Sequence, residues 1–234
     1  MSQLGGKWVS LSHIDWSRYF SGDLFQRTPH GSLYRDSWPS LFVGPPGSAC
    51  SLHIDANATH FWMALFGEGT KEWLLFPPDQ THLLHPFWPP FGATTRDPIF
   101  HIDPFAPWAD QLRKYPSLAG TTPYRVVLKP GDVLFVPCGW AHAVRNLPGP
   151  PTVALSANYV DGSNLEKFVA ELKWQAIAEE EAAEISGGAA GRSAPVDEAA
   201  GRSAALLRAV GEGDFGAERG EPTEKAWGEF KRVV

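Results

Sequence analysis

The stretch "SLHIDANATHFWMALFGEGTKEWLLFPP", residues 51–78, decides the fold class. It holds three candidate strands, 51–55, 61–66 and 71–76, of which the second and third are rich in aromatic and large apolar residues. The turn-forming letters GEGT close the second run, and PP closes the third. Short apolar runs that end at Gly or Pro predict β-strands more strongly than helices. The middle of the chain is therefore expected to be all-β.

Further strands are predicted on both sides of this stretch, at 40–43, 124–128, 132–136 and 152–159. In "YRVVLKPGDVLFVP" two apolar runs flank Lys-Pro-Gly-Asp, a composition typical of a β-hairpin. Several short strands with Gly and Pro turns favour a sandwich or a jelly roll.

Charge and cysteine content narrow the function classes. The formal net charge is −6, so the chain lacks the overall positive charge that binds nucleic acid backbones, and protein or small-molecule partners are favoured. Only Cys50 and Cys138 are present, too few for a disulfide scaffold, which favours reduced thiols in an intracellular protein of the cytoplasm or nucleus. Neither a signal peptide nor a membrane span is predicted.

The chain divides by composition into four regions. We expect an N-terminal connector region at 1–39, a jelly-roll core at 40–162, a C-terminal amphipathic helix at 163–185, and a low-complexity linker and tail at 186–234, in which AAGRSA occurs twice. The helix is expected either to cap the barrel or to form a homodimer.

A long proline- and aromatic-rich stretch, 77–123, interrupts the core and contains one predicted helical turn at 108–112. Long loops in compact domains are often functional, so this one is either a lid over a substrate or an irregular segment that packs its aromatic residues on the barrel. The second interpretation is favoured.

The tripeptide HID occurs three times, at 13–15, 53–55 and 101–103. Residues i and i+2 of a strand point to the same face, so His and Asp at this spacing can hold one metal ion together. The first copy lies where no strand pattern is visible, and the third lies in the proline-rich stretch. Only the copy at 53–55 begins a series of convincing strands.

A third ligand is available downstream. "CGWAHAV" follows the last strand of the predicted hairpin and contains His142. We therefore predict a metal site formed by His53, Asp55 and His142, called the triad below. Two histidines and one carboxylate form the facial arrangement found in non-haem Fe(II) oxygenases.

The run "SLFVGPPGSACSLHIDANATHFWMALFGEGTKEWLLFPP", with "KPGDVLFVPCGWAHAVRNL" and "TVALSANYV", resembles the JmjC (Jumonji C) family of Fe(II)/2-oxoglutarate-dependent oxygenases. The closest resemblance is to the branch of the JmjC-domain protein 6 type of lysyl hydroxylase. The matching blocks cover about residues 40–161. The resemblance implies a double-stranded β-helix, a cupin-like jelly roll, with flanking α-helices.

The resemblance also implies roles for individual residues. The triad corresponds to the family's catalytic metal ligands, which hold Fe(II) for reaction with 2-oxoglutarate and O2. Lys71 corresponds to the lysine that binds the C5 carboxylate of 2-oxoglutarate. Ser156 corresponds to a hydroxyl residue that helps to hold the same carboxylate, and Asn158 to a polar residue beside the site.

The implied activity is hydroxylation of a protein side chain, with release of succinate and CO2. If the hydroxylated carbon is an N-methyl group, the result is demethylation. Three positions depart from the family pattern: Met63 replaces an asparagine that contacts the cosubstrate's C1 end, Cys50 replaces a threonine, and Ala141 replaces a bulky aromatic residue. Two alternatives therefore stay open, a non-catalytic JmjC-fold binding protein and a cupin-like metalloenzyme that does not use 2-oxoglutarate.

Overall fold

The computed structural model describes residue 23, residues 40–89 and residues 97–187, with side chains described as far as Ile177. Eight strands form its core: β1 (Ser40–Gly44), β2 (Ala49–His53), β3 (His60–Gly67), β4 (Lys71–Phe76), β5 (Tyr124–Leu128), β6 (Val133–Val136), β7 (Ala141–Asn146) and β8 (Thr152–Tyr159). They make two four-stranded antiparallel sheets, in the orders β1-β8-β3-β6 and β2-β7-β4-β5. The all-β, cupin-like jelly roll predicted from the sequence is confirmed.

Alternation along the strands builds the interior between the two sheets. Successive side chains of a strand point to opposite faces, so every second residue enters the core. The interior cluster comprises Phe61, Met63, Leu65, Trp73, Leu75, Leu128, Val136 and Ala154. Both sheets contribute to this cluster, so apolar side chains fill this part of the barrel interior.

The predicted hairpin is wrong. β5 pairs with β4 in one sheet, whereas β6 pairs with β3 in the other. The Lys129–Asp132 segment is instead a corner between sheets, where Gly131 has φ +93° and donates its N–H to the Leu65 carbonyl at 2.8 Å. A positive φ of this kind suits glycine, so the composition correctly predicts a turn at this position. The two strands that flank the turn, however, belong to different sheets.

The described part of the stretch between β4 and β5, residues 77–89 and 97–123, packs outside the barrel. It contains a 3-10 segment (Pro78–Leu84), the helix α1 (Trp108–Lys114) and a second 3-10 segment (Pro116–Gly120). Its apolar side chains cover the outer face of the β2-β7-β4-β5 sheet, in a cluster that joins Leu52, Phe76, Ala141 and Ala143 to Leu84, Phe100, Ile102 and Leu118. The described part of this stretch therefore supports the packing interpretation over the lid.

The C-terminal helix α2 (Leu165–Gly187) packs on its own chain through Phe168 and Leu172, which are fully buried. This contact supports the capping role of the helix. Among the described residues, no helix combines the length and apolar character needed to cross a membrane. The predicted connector at 1–39, except Asp23, and the tail beyond residue 187 lie outside the described residues.

Candidate metal centre

The first HID ligand is placed by an irregular strand. β2 pairs with β7, with Cys50 opposite Val144 and His53 opposite His142, so β2 has one residue more than its partner between these pairs. An extra residue of this kind is a β-bulge, which redirects the side chains that follow it. As a result Cys50 and His53 share a face although they are three residues apart, and the Cys50 Sγ lies 3.8 Å from His53 Nδ1.

The expectation that His53 and Asp55 lie together on one strand, 51–55, is wrong in detail. β2 ends at His53, and Asp55 precedes a short 3-10 segment, Ala56–Ala58. Asp55 keeps an extended backbone, with φ −65° and ψ 138°, so its side chain still returns to the His53 side. The side chains of His53 and Asp55 therefore point to the same side, as in a strand, although Asp55 lies outside β2.

The triad residues converge on one point. One ligand atom of each residue lies within 4.8 Å of the others. Asp55 Oδ1 is 3.6 Å from His53 Nε2 and 3.9 Å from His142 Nε2, and the two imidazole centroids are 4.3 Å apart. A single cation placed among these atoms would be bound from one side, which is the facial geometry of the metal site predicted from the sequence.

Backbone carbonyls fix both imidazole rings. His53 Nδ1 lies 2.7 Å from the Ser51 carbonyl oxygen, and His142 Nδ1 lies 3.0 Å from the Trp140 carbonyl oxygen. A carbonyl oxygen can only accept, so each Nδ1 carries the hydrogen and donates it. This leaves each Nε2 as the atom for a metal, an arrangement common among metal-binding histidines.

The two imidazoles differ in their surroundings. The His142 side chain is only 2% exposed and packs against the Phe61 and Trp73 rings, and burial lowers its pKa. The His53 side chain is 37% exposed. Burial opposes its protonation, but hydrogen bonding to Asp55 and Cys50 outweighs burial and raises the pKa of His53 to about 10. A metal cation would compete with a proton for His53 Nε2.

A separate observation also indicates that the triad can bind a divalent metal ion. Asp55 Oδ2 is buried and has no hydrogen-bond partner among the described residues. An unsatisfied buried carboxylate oxygen is costly, and a cation beside it removes that cost. Two neutral nitrogen donors and one carboxylate are also a donor set that suits iron.

Lys71 begins β4 and lies inside the barrel. It is 7% exposed, on the same face of the strand as Trp73 and Leu75. Its Nζ donates to Asn146 Oδ1 at 2.8 Å. Burial lowers its pKa, and the nearby Cys50 thiol acts in the opposite direction. Asn146 was not identified from the sequence, although its four-residue spacing from His142 would have revealed it had β7 been recognised.

Ser156 and Asn158 lie on β8 in the opposite sheet. They share a strand face with Ala154, which belongs to the interior cluster. Ser156 is 2% exposed and pairs with Met63 across the strands. Asn158 donates from Nδ2 to Thr59 Oγ1 at 2.9 Å, so it braces the segment just after Asp55. The structure places both residues facing inward, as predicted, while their contact with a cosubstrate stays a prediction.

A polar network ties α2 to the centre. His60 Nδ1 accepts from the Cys138 N–H at 3.0 Å, and His60 Nε2 lies 3.0 Å from Ser163 Oγ. The Ser163 hydroxyl donates to Asp161 Oδ1 at 2.6 Å. Asn164, at the start of the helix, donates to the Ala58 carbonyl at 2.9 Å. The start of α2 thus holds the turn that carries Asp55.

The other HID copies are not part of this centre. His101 and Asp103 are both exposed, in the segment before α1. Of the described residues, the structure brings together one group of potential metal ligands, which is the triad. The copy at 13–15 lies outside the described residues.

Comparison with known proteins agrees with this architecture. The family model described as "Cupin-like domain" matches residues 8–164. The chain is 36% identical over 165 residues to the arginine-specific demethylase JMJ22 of Arabidopsis thaliana, covering 69% of this chain and 30% of that protein. It is 35% identical over 149 residues to the lysine-specific demethylase JMJ21 of Arabidopsis thaliana, covering 60% and 15%.

A human relative gives a similar match. The chain is 32% identical over 149 residues to the 2-oxoglutarate and iron-dependent oxygenase JMJD4 of Homo sapiens, covering 63% of this chain and 32% of that protein. The chain spans about a third or less of the length of these curated relatives. The family match, the relatives and the two-sheet fold agree with one another. The chain therefore belongs to the cupin-like JmjC domain family.

Proposed function

We propose that the protein is an Fe(II)- and 2-oxoglutarate-dependent oxygenase that hydroxylates a protein side chain. The observation that carries this proposal is the convergence of two carbonyl-anchored imidazoles and one carboxylate on a single point. The buried Lys71, on the neighbouring strand, adds a cation where an anionic cosubstrate would end. Relatives whose names state use of 2-oxoglutarate and iron support the same assignment.

The triad would hold Fe(II), which in the presence of 2-oxoglutarate and O2 supplies the oxidising power to hydroxylate a C–H bond, with succinate and CO2 as coproducts. The chain's own residues then act by placement. Lys71 binds the far carboxylate of 2-oxoglutarate through a charge-assisted hydrogen bond. Ser156 supports that carboxylate from the opposite sheet. The Phe61 and Trp73 rings shield His142 from water.

The spacing along β7 suits this binding mode. His142 and Asn146, the partner of Lys71, lie four residues apart on the same strand face, about 13 Å at the usual rise per residue. A lysine side chain and a five-carbon dicarboxylate can together span such a gap. The two ends of 2-oxoglutarate would therefore meet the metal and the ammonium at the same time.

A protein substrate is favoured by the open side of the centre. His53 has a side chain 37% exposed, and its neighbours Cys50 and Ser51 are exposed as well. A side chain that projects from a peptide could reach the centre from this side, whereas His142 closes the other side. If the target carbon is the N-methyl group of a methylated lysine or arginine, the same hydroxylation gives N–CH2OH, which releases formaldehyde and leaves the demethylated nitrogen.

Conversion of 2-oxoglutarate to succinate tests the proposal. Purified protein with Fe(II), ascorbate and 2-oxoglutarate is expected to form succinate slowly without a prime substrate, and faster with a suitable peptide. His53→Ala should abolish this conversion, while the matched control His101→Ala, which alters an exposed HID copy, should retain it. Loss of conversion in both variants, or in neither, would contradict the assignment of the centre.

One observation supports the two alternatives, a non-catalytic JmjC-fold binding protein and a cupin-like metalloenzyme that does not use 2-oxoglutarate. Met63 is buried beside Ser156, where the family pattern has an asparagine, so the cosubstrate's C1 end loses one polar contact. A protein that binds iron without consuming 2-oxoglutarate would favour a cupin-like metalloenzyme. A protein that binds neither would favour a non-catalytic binding protein.

We also propose an intracellular location, in the cytoplasm or nucleus, which is supported by the free thiols of Cys50 and Cys138. Formation of a homodimer through α2, one of the two roles expected for this helix from its sequence, remains a prediction. Size-exclusion chromatography with light scattering checks it directly.

A further inference from the structure

Lys71 and Asn146 form a directly opposed pair across β4 and β7. Both side chains are buried, 7% and 3% exposed respectively, and the lysine Nζ donates to the asparagine Oδ1 at 2.8 Å. A buried ammonium normally pairs with a carboxylate, because an uncompensated charge in a protein interior is costly. Here the acceptor is a neutral amide.

No carboxylate among the described residues forms an ion pair with Lys71. The adjacent acid, Glu72, faces the outside of the sheet, because neighbouring residues of a strand point to opposite faces. Its two carboxylate oxygens accept from Arg125 Nε at 2.5 Å and Arg145 Nε at 2.6 Å. The positive charge of Lys71 is thus held inside the barrel without neutralisation by a described carboxylate.

Asn146 is itself held in one orientation. Its Nδ2 donates to the Pro45 carbonyl at 3.0 Å and to Ser48 Oγ at 2.7 Å, and the Ser48 hydroxyl in turn donates to the Pro45 carbonyl at 2.8 Å. A flipped amide would place its oxygen against a carbonyl and its NH₂ group against the ammonium. Both amide hydrogens are therefore used, and Oδ1 must face Lys71.

The backbone of Asn146 is fixed to the same "GPPGS" turn, residues 44–48. Its N–H donates to the Ser48 carbonyl at 2.8 Å, and its carbonyl accepts from the Gly47 N–H at 3.0 Å. Gly44 completes the cradle, since a Cβ at this position would lie 2.4 Å from Asn146 Nδ2. The turn between β1 and β2 thereby determines where the Lys71 ammonium points.

We propose that Asn146 is a positioning residue for cosubstrate binding: it aims the Lys71 ammonium through a neutral acceptor and so leaves the lysine charge available to the carboxylate of a five-carbon dicarboxylate. This inference rests on the proposed function. It explains why the lysine is paired with an amide and why the turn before β2 is joined to β7 by four hydrogen bonds to one residue.

Asn146→Asp tests the inference, because it keeps the shape of the side chain and places a negative charge against Lys71. The dissociation constant for 2-oxoglutarate is measured by isothermal titration calorimetry on Zn(II)-loaded protein, together with Zn(II) affinity and thermal unfolding. We expect the affinity for 2-oxoglutarate to fall by about 100-fold, because the new carboxylate would already compensate the charge of Lys71. Zinc affinity should not change, because Asn146 touches none of the triad.

Asn146→Ala keeps the charge of Lys71 but removes the amide oxygen that orients its ammonium group. We expect a smaller loss, about tenfold, from the loss of one hydrogen bond to a charged group. Gln80→Glu is the matched control, since it makes the same amide-to-carboxylate change in the 3-10 segment outside the barrel, and it should bind like the wild type. In turnover assays the Asn146 variants should raise KM for 2-oxoglutarate and leave kcat at saturation nearly unchanged.

The outcomes separate the two levels of the proposal. If the wild type binds 2-oxoglutarate and the Asn146→Asp variant binds it equally well, the positioning role alone is overturned. Wild-type protein that does not bind 2-oxoglutarate would overturn the proposed function and this inference with it. If Asn146→Asp does not fold, Asn146→Ala and Ser48→Ala still test the role, since unchanged affinity in both would overturn it.

Discussion

Replacing Lys71 with methionine should separate cosubstrate binding from stability. Methionine matches the length of the lysine stem and fits the apolar surroundings of β4, but it has no charge. Two effects on stability oppose each other: a buried ammonium, whose pKa is already lowered by burial, is removed, and Asn146 Oδ1 loses its donor. Since each effect is about 1–3 kcal/mol, their difference is at most about 2 kcal/mol, and we expect Tm to change by less than about 8 °C.

The effect on 2-oxoglutarate should be much larger. In the complex, a buried carboxylate would lose the cation that compensates it, and breaking a buried ion pair by removal of one partner costs about 3–5 kcal/mol. That energy corresponds to a loss of affinity of at least about 100-fold. The structural basis is the 7% exposure of Lys71, which leaves little solvent to replace the lost charge.

Calorimetric titration with 2-oxoglutarate on metal-loaded protein, together with a thermal melt, measures both quantities. Lys129→Met is the matched control, because it removes an exposed lysine from the corner after β5. We expect the control to bind normally. Unchanged 2-oxoglutarate affinity in Lys71→Met would refute the role of the lysine, and a melting temperature lowered by more than about 10 °C would refute the stability reasoning.

Three further outcomes are expected. Burial raises the pKa of Asp161, but hydrogen bonds from His60 and Ser163 outweigh it and lower the pKa from 3.8 to about 2, so Asp161→Asn should cost about 2 kcal/mol of unfolding free energy at pH 7. Because the folded pKa is the lower one, this contribution is present above about pH 4 and fades as pH falls through 2, which urea denaturation at several pH values checks. Gly44→Ala should weaken 2-oxoglutarate binding by displacing Asn146, with metal affinity unchanged in the same titration. Saturating Zn(II) at about 100 times its dissociation constant should raise the Tm of the wild type by about 5–11 °C, measured by differential scanning fluorimetry, and have no such effect on His53→Ala.

Much of the fold could be predicted because turn residues mark the strand ends. "GPPGS", "GEGT" and "PP" close β1, β3 and β4, and the predicted bounds of these strands agree with the structure within one residue. β7 was missed because "AHAVRN" contains few residues that favour strands. It is stabilised by its position between β2 and β4, which is tertiary context that a local pattern does not carry.

Pairing was harder to predict than the strands themselves. The Lys-Pro-Gly-Asp turn between β5 and β6 has the composition of a hairpin, yet the same composition serves a corner between sheets. The bulge in β2 leaves no mark in the letters "ACSLH", because it depends on what the partner strand offers. Local composition predicts that the chain turns, and the partner strands decide where it goes.

The candidate site shows the same division. The triad could be predicted from two short motifs, because His and Asp two residues apart stay on one side of an extended chain. Asn146 could not, since its role depends on its register with Lys71, 75 residues away. The contribution of α2, through Asn164 to the turn after Asp55, likewise depends on packing between distant segments.

Anaerobic titration of Fe(II)-loaded protein with 2-oxoglutarate tests most directly whether the triad is an iron centre that takes this cosubstrate. Bidentate binding of 2-oxoglutarate to Fe(II) produces a weak visible charge-transfer band. We expect the band in the wild type and in His101→Ala, and its loss in His53→Ala. Iron binding by the wild type without a band, or a band that persists in His53→Ala, would contradict the proposed function.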